Sequence, residues 1–269
     1  MSKLIRVFSV AIVGLGSLVL AAPAQAAVIN VNTFADELTI DGDCSLREAL
    51  VSANTDGADP NSDACTAGSG TDTVVLPAGT YARTEAGVLE VTSPLSIDPT
   101  GVVVIDGAES FPLFSVSATG SLTMADLTVR RGRSAGGGGL YNDGGTVTLE
   151  RVTFEANSSN DNDGAGIYNN GGTLTVRNST LSGNRSVRNG GGLFNGGGTA
   201  TLNNVTLAAN VADSDASGDG DGGGIFNDAG TMAVSNTIIG DNTDGSTGGS
   251  PKAPDCAGTI QSGGYTLIE

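Results

Sequence analysis

The densest group of potential metal ligands is a run of aspartates between residues 213 and 223, with the sequence DSDASGDGDGG. Its four carboxylates belong to Asp213, Asp215, Asp219 and Asp221. Carboxylate oxygens on a glycine-rich loop are hard ligands that suit Ca²⁺, so the run is a candidate calcium site. Its spacing differs from that of an EF-hand, and no glutamate closes the loop. Because many loops rich in Asp and Gly are solvated turns, that second interpretation stays open.

Few other residues could carry out catalysis. The chain has no histidine, so the usual acid–base group near neutral pH is missing, and its two lysines are Lys3 and Lys252. A base could still come from the arginines of the loops, Arg130, Arg131, Arg133, Arg185 and Arg188. The net charge of −17 argues against nucleic acid, and against a polyuronate substrate unless calcium bridges it.

A repeated motif ends in asparagine four times: GGGGLYN (136–142), DGAGIYN (163–169), NGGGLFN (189–195) and DGGGIFN (221–227). The copies are 27, 26 and 32 residues apart, a period typical of repeat architectures. Stacked copies would place their asparagines in a ladder, in which each side-chain amide bonds its neighbour and the turn backbone. The ladder would contain Asn142, Asn169, Asn195 and Asn227.

The aromatic residue before each asparagine forms a second column, made of Tyr141, Tyr168, Phe194 and Phe226. We expect a buried or half-buried aromatic stack, and the alternative is an outward column that stacks on sugar rings.

The segments after the motif alternate apolar and polar residues with period two, which is typical of strands. They begin at Thr146, Thr173, Thr199 and Thr231, and their threonines would face outward. Strands this short cannot bury their own apolar row, but stacking one unit on the next would bury it. The pattern predicts an all-β parallel solenoid over residues 73–242. Successive loops would then stack, so the arginines above would face Asp161, Asp163 and the 213–221 aspartates in exposed ion pairs.

Residues 1–26 have the composition of an export leader. Lys3 and Arg6 precede an apolar run, and Ala24, Gln25 and Ala26 form a small-x-small cleavage pattern. No second apolar stretch follows, so we expect no membrane span in the mature chain. We therefore expect a secreted or cell-surface protein.

Residues 27–72 are expected to cap the solenoid. Ser45 and Glu48 have the spacing of a capping box, and the apolar residues from Leu46 to Ala53 predict a helix of about ten residues. Such a helix would cover the exposed core and strand edges of the first unit. In an exported protein, Cys44 and Cys65 should form a disulfide that contributes roughly 3 kcal/mol.

The residues from Cys44 to Ala49 spell CSLREA, and VVLPAGTY follows from Val74 to Tyr81. This text resembles the CSLREA domain, found at the front of bacterial secreted proteins that continue into right-handed parallel β-helices of the pectin-lyase type. The glycine-rich repeats are similar to those of polymorphic surface proteins. The resemblance implies a right-handed parallel β-helix with a short N-terminal capping helix, together with export. It implies no particular reaction.

Residues 243–269 are rich in Gly, Ser and Pro at their start, and we expect them to be a truncated tail. Cys256 is then an odd thiol in an exported chain. The sequence favours a non-catalytic secreted or cell-surface protein that serves adhesion, a matrix or carbohydrate contact. Its partner would be an extracellular polysaccharide or a cell-surface glycan, and no cofactor is implied except a candidate calcium ion. The alternative is a polysaccharide lyase or glycoside hydrolase.

Overall fold

The structure is a computed structural model that describes residues 26–58, 64–218, 220–247 and 253–269. The export leader predicted for residues 1–26 lies almost entirely outside this part and stays a prediction. The described residues form one helix and 29 strands, and the strands pair in parallel. None of the described residues belongs to a helix long and apolar enough to cross a membrane.

The helix is α1 (Leu46–Thr55), and the strands are two to six residues long. In chain order the strands are β1 (Val28–Asn30), β2 (Asp72–Leu76), β3 (Gly79–Ala82), β4 (Leu89–Val91), β5 (Pro94–Pro99), β6 (Val103–Asp106), β7 (Phe114–Val116), β8 (Ser121–Ala125), β9 (Leu127–Arg130), β10 (Arg133–Ser134), β11 (Leu140–Asp143), β12 (Thr146–Glu150), β13 (Thr153–Glu155), β14 (Ser158–Ser159), β15 (Ile167–Asn170), β16 (Thr173–Arg177), β17 (Thr180–Ser182), β18 (Arg185–Ser186), β19 (Leu193–Asn195), β20 (Thr199–Asn203), β21 (Thr206–Ala208), β22 (Val211–Ala212), β23 (Ile225–Asn227), β24 (Thr231–Ser235), β25 (Ile238–Gly240), β26 (Thr243–Asp244), β27 (Cys256–Gly258), β28 (Gln261–Ser262) and β29 (Leu267–Ile268).

Four parallel sheets run along the molecule. Sheet 1 has the order β1-β2-β5-β8-β12-β16-β20-β24-β28, and sheet 2 has the order β3-β6-β9-β13-β17-β21-β25-β29. Sheet 3 has the order β10-β14-β18-β22-β26, and sheet 4 has the order β4-β7-β11-β15-β19-β23-β27. We call one complete turn of the solenoid a coil. From β8 onward a coil passes through the four sheets in this numerical order, whereas the two earlier coils, β2-β3-β4 and β5-β6-β7, have no strand in sheet 3. The predicted parallel β-helix is confirmed.

The repeats align residue for residue, as the sequence predicts. Leu140 pairs with Ile167, which in turn pairs with Leu193 on the next coil. In sheet 1, Val147 and Leu149 are buried, whereas Thr146 is exposed and Thr148 is half-buried. Fully burying one such aliphatic side chain contributes about 2 kcal/mol, so the stacked interior is the main source of stability.

The second residue of each repeated motif is a glycine whose backbone conformation other residues rarely adopt. Gly137, Gly164, Gly190 and Gly222 have φ between +63° and +66°, in the left-handed region. A Cβ atom on Gly190 would lie 2.7 Å from the carbonyl oxygen of Leu193. Only glycine avoids both the strain of a positive φ and the clash of a Cβ atom. This position of each motif therefore requires glycine, so that the chain can turn into sheet 4.

The helix α1 begins with the predicted capping box. The Ser45 hydroxyl accepts from the Glu48 amide at 3.2 Å, and the Ser45 amide donates to Glu48 Oε2 at 2.8 Å. Leu46, Ala49 and Leu50 are buried in the same core as the coils, and the helix packs against β1, β2 and β4. Cys44 and Cys65 form a disulfide, which confirms that pairing.

Asp36 joins the N-terminal segment to the coils. Its carboxylate accepts from Arg47 Nε at 2.8 Å and from Arg83 Nε at 2.9 Å, and also from the amides of Thr84 and Glu85. Burial alone would raise the pKa of this carboxyl, but these hydrogen bonds outweigh it and lower the pKa to about 2. The carboxylate therefore holds two arginines that are themselves mostly buried.

The boundary that we expected at residue 242 is not the end of the sheets. Strands β26, β27, β28 and β29 each add to a different sheet, and β27 pairs with β23 in register. The residues described after 242 thus extend the solenoid and are not a separate tail. The composition of residues 243–254 concealed this continuation, because Gly, Ser and Pro are also typical of loops.

The Asp36 contacts predict a specific acid sensitivity. Because the folded-state pKa of about 2 lies below the ordinary 3.8, Asp36 stabilises the fold above about pH 4, and this contribution is lost as the pH falls toward 2. Asp36→Asn should lower the free energy of unfolding at pH 7 by at least about 2 kcal/mol. It should also flatten the loss of stability between pH 5 and pH 2, measured by urea unfolding.

The matched control is Asp126→Asn, which removes the exposed pair with Arg151. Acid-unfolding curves that run parallel for the wild type and Asp36→Asn would contradict this role of Asp36.

Candidate functional site

The predicted asparagine ladder lies inside sheet 4. Its four side chains, Asn142, Asn169, Asn195 and Asn227, are 0 to 5% exposed. Nδ2 of each of the first three donates to Oδ1 of the asparagine on the next coil at 2.7 Å, and Nδ2 of Asn227 donates to the Thr259 carbonyl at 2.6 Å. The first Oδ1, that of Asn142, is buried without a partner, because Val116 occupies the same column on the preceding coil. The ladder is therefore a structural column, as the sequence predicts.

A second asparagine ladder was missed by the sequence analysis. Its members lie at the corner between sheets 2 and 3 and are Asn157, Asn184, Asn210 and Asn242. Each donates both its main-chain N–H and its Nδ2 to Oδ1 of the next member, at 2.9 to 3.1 Å. Asn242 donates in the same way to Asp255. The signal was present, because each repeated strand segment ends in asparagine.

The aromatic column lies on the outer side of sheet 4. Tyr141 lies between the inward residues Leu140 and Asn142, so its ring points away from the core. The centroids of consecutive rings are 5.1, 4.8 and 5.5 Å apart along Tyr141, Tyr168, Phe194 and Phe226. Phe194 is buried and the other three rings are half-buried. The column therefore combines both expectations, since it is a half-buried stack that faces outward.

Polar groups border this column. Asn170 Nδ2 donates to the Tyr141 hydroxyl and to Asp143 Oδ1, both at 2.9 Å. Burial raises the pKa of the Tyr141 hydroxyl, and the nearby Asp143 carboxylate adds to the effect. Burial also raises the pKa of Tyr168. Both phenols are therefore neutral at physiological pH and can donate hydrogen bonds.

Threonines form files on two outer faces. On sheet 1 the exposed file is Thr146, Thr173, Thr199 and Thr231. Beside it, Thr148, Thr175 and Thr201 are half-buried, and Ala233 occupies the next position. Sheet 2 carries a further file that we had not singled out, made of Thr128, Thr153, Thr180 and Thr206. The solenoid thus presents regular rows of hydroxyl groups.

The acidic loop uses its own donors. Asp213 accepts from the Ser217 hydroxyl at 3.0 Å and from the Gly218 amide at 2.9 Å. Burial alone would raise its pKa, but these hydrogen bonds lower it below the ordinary value. Asp215 accepts from the Ser217 amide, and Asp219 lies outside the described residues. In the part of the chain that the structure describes, no three acidic or cysteine side chains are grouped to hold a metal ion, and the calcium site stays a prediction.

One carboxyl group in this region, that of Asp221, has a raised pKa. Burial raises the pKa of Asp221, and the neighbouring Asp244 raises it further through its charge and a side-chain hydrogen bond. Asp244 accepts from the amides of Ser246 and Ala253. A carboxyl whose pKa is raised by a second carboxyl is a group that could act as a general acid.

The expected ion pairs between neighbouring loops do not form among the described residues. Arg130 and Arg131 both bind Asp106, whose side chain is 1% exposed. Asp163 accepts from the main chain and side chain of Asn189 instead of from an arginine. Asp161, Arg188 and Asp215 line a groove of about 280 Å³, and no ion pair joins them. The loops differ in length, so their charged ends are not in register, unlike the strands.

Cys256 lies in the same column as Ile225, beside the core. Burial raises the pKa of its thiol to about 12, and the charge of Asp255 contributes. Very little thiolate is present at neutral pH, so this cysteine is a poor nucleophile and metal ligand.

Comparisons of the chain with protein-family models, curated proteins and solved structures found no match. The fold and the columns described above define the class of the protein, a parallel β-solenoid whose outer faces repeat the same side chains on successive coils.

The second asparagine ladder predicts a large local effect on stability. Asn184→Ala should lower the free energy of unfolding by about 2 to 4 kcal/mol, because it leaves the buried main-chain N–H of Asn157 without its acceptor and removes the hydrogen bonds to Asn157 Nδ2 and to the Phe154 carbonyl. Denaturant unfolding would measure the loss. The control Asn203→Ala changes an exposed asparagine on the same solenoid and should cost less than about 0.5 kcal/mol. Equal losses would contradict the importance of the ladder.

The environment of Cys256 predicts slow alkylation. At pH 8 the native thiol should react with iodoacetamide on the order of 100-fold more slowly than the same thiol in denaturant, since the thiolate is suppressed. Mass spectrometry of the labelled protein would follow the rate. Asp255→Asn should increase the native rate by removing the nearby charge. Equal rates in the native and denatured states would contradict the half-buried position of the thiol.

Proposed function

We propose that the protein is an exported, non-catalytic β-helix that binds an extracellular polysaccharide along its outer faces. The observation that carries this proposal is the column of Tyr141, Tyr168, Phe194 and Phe226, whose rings follow one another at about 5 Å on an outward face. All four rings offer an apolar surface that suits the apolar faces of sugars, and the hydroxyls of Tyr141 and Tyr168 can in addition hydrogen-bond to sugar hydroxyls.

The repetition favours a polymeric ligand. A linear glycan lying along the axis would meet a similar group on each coil, so weak contacts would add through their effective concentration. Asp143 and Asn170 border the column and can exchange hydrogen bonds with hydroxyl groups. The net charge of −17 favours a neutral glycan over a polyuronate.

Export is part of the proposal. It is supported by the leader pattern of residues 1–26, by the Cys44–Cys65 disulfide and by the resemblance of residues 44–49 to the CSLREA domain. We propose the same family membership on that resemblance. Adhesion or a role in an extracellular matrix would follow from glycan binding at a cell surface.

A second candidate function is glycoside hydrolysis. The observation that favours it is the raised pKa of Asp221 beside Asp244, since hydrolysis requires a protonated acid next to a second carboxylate. Incubation of the protein with neutral glycans and uronates, with and without calcium, would test it. New reducing ends that disappear in Asp221→Asn would replace the binding proposal, and unsaturated products would indicate a lyase.

The binding proposal predicts which residues matter. Tyr141→Ala should weaken binding to a neutral glycan about tenfold, because one stacking ring is removed. Affinity electrophoresis in gels containing each polysaccharide would measure the change. The control Tyr265→Ala removes a tyrosine that is 95% exposed and lies outside the column, and should leave binding unchanged. If the protein binds no glycan, or if both variants bind alike, the aromatic column is not the binding site.

A further inference from the structure

Asp72 is a buried carboxylate with an unusual hydrogen-bonding pattern. It is the first residue of β2, and it is 0% exposed. Its Oδ1 accepts from the Ala27 amide at 3.0 Å and from the Ser69 amide at 2.9 Å. Its Oδ2 has no hydrogen-bond partner. Among the described residues it is the one buried carboxylate oxygen in this condition, since the other unpartnered atom belongs to the amide of Asn142.

Other deeply buried acids of the chain are compensated differently. Asp36 and Asp106 are each paired with two arginines. Glu48 is 0% exposed, and each of its oxygens accepts a main-chain N–H. No ion pair within the described residues includes Asp72. A buried carboxylate is costly unless it is paired with a cation or fully hydrogen-bonded, so Asp72 lacks a partner that its burial requires.

The main-chain nitrogen of Ala27 is one of the two nitrogens that contact this carboxylate, and it lies 3.0 Å from Oδ1. Its place is determined by the sheet, because the Thr73 amide donates to the Ala27 carbonyl at 2.9 Å and Val28 pairs with Thr73. The next residue, Ile29, is buried in the core. The site around the carboxylate is also closed, since a Cβ atom on Gly68 would lie 2.8 Å from Asp72 Oδ2.

Ala27 is also the residue that directly follows the cleavage pattern of Ala24, Gln25 and Ala26. A leader peptidase would add one water across the peptide bond between Ala26 and Ala27. Ala26 would leave with the new carboxylate, and Ala27 would keep an amine that takes up a proton from solvent. Terminal amines titrate near pH 8, so this group is largely an ammonium at neutral pH.

We propose that Asp72 is the binding site for the α-ammonium group that leader cleavage creates on Ala27. Maturation thereby converts a neutral amide donor into a full positive charge beside Oδ1. The charge stabilises the whole carboxylate, because its negative charge is shared by both oxygens. The mature chain is thus more stable than the precursor at the start of sheet 1. This inference rests on the export leader of the proposed function, and it does not depend on glycan binding.

A double-mutant cycle tests the ion pair. One protein begins at Ala27, and a second retains Ala24, Gln25 and Ala26, both released from a carrier by a protease that leaves no extra residue. Retention of the three residues should lower the melting temperature by about 5 °C when Asp72 is present, and should have no such effect in Asp72→Asn. The exposed control Asp98→Asn should keep the full effect of retention. Equal melting temperatures for the two proteins with Asp72 present would overturn the proposal.

Amine labelling provides a test that needs no substitution. The mature chain contains two kinds of amine, the α-amine of Ala27 and the side chain of Lys252. In the folded protein that begins at Ala27, the α-amine should react with an acylating reagent at least about tenfold more slowly than in denaturant, relative to Lys252. If the rate of the α-amine relative to that of Lys252 is the same in the folded and denatured states, the proposal is also overturned.

The processing step is checked separately. Mass spectrometry of the protein exported from cells that express the full chain gives its first residue. A product that begins elsewhere than Ala27, or a chain that is not exported, would contradict the leader and its cleavage site. A product that begins at Ala27 but shows neither the melting difference nor the amine protection would contradict the ion pair alone.

Discussion

In-register stacking is the constraint on which the rest of this structure depends. In a parallel solenoid each side chain meets the corresponding side chain of the next coil, about 4.8 Å away. Amides tolerate this arrangement well, because each can donate to one neighbour and accept from another, as Asn169 does between Asn142 and Asn195. Threonines and aromatic rings tolerate it too. Like charges stacked in one column would repel each other, and the columns of this protein are arranged accordingly.

Where a charge enters a column, the next coil usually carries the opposite charge or a neutral amide. Arg151 follows Asp126 at the corner between sheets 1 and 2 and binds it at 2.6 Å, and the following residue in that column is Asn178. Glu150 pairs in register with Arg177, and then Asn203 follows. The acidity of the chain is therefore concentrated in loops, where variable length separates the carboxylates. On the sheet faces this arrangement places charges such as those of Glu150 and Arg177 next to a residue of opposite sign.

The first coil has no preceding coil to cover its apolar interior. The helix α1 covers its apolar interior, and the Asp36 carboxylate ties the segment before the helix to Arg47 and Arg83. Asp72 then places a negative charge beside the first residue of the region predicted to be mature. The start of the solenoid is thus held in part by the segment before the helix, whereas each later coil stacks on the coil before it.

Much of the architecture was determined by sequence alone. The spacing of Leu140, Ile167, Leu193 and Ile225 predicted the register, and Ser45 with Glu48 predicted the helix start, because repetition and capping are local properties of the chain. Tertiary structure alone decided the partners of Asp36 and Asp72, the half-buried outward position of the aromatic column, and the continuation of the sheets beyond residue 242. The reason is physical: the Ala27 amide meets Asp72 across 45 residues, and no local pattern records which distant group will lie beside a buried charge.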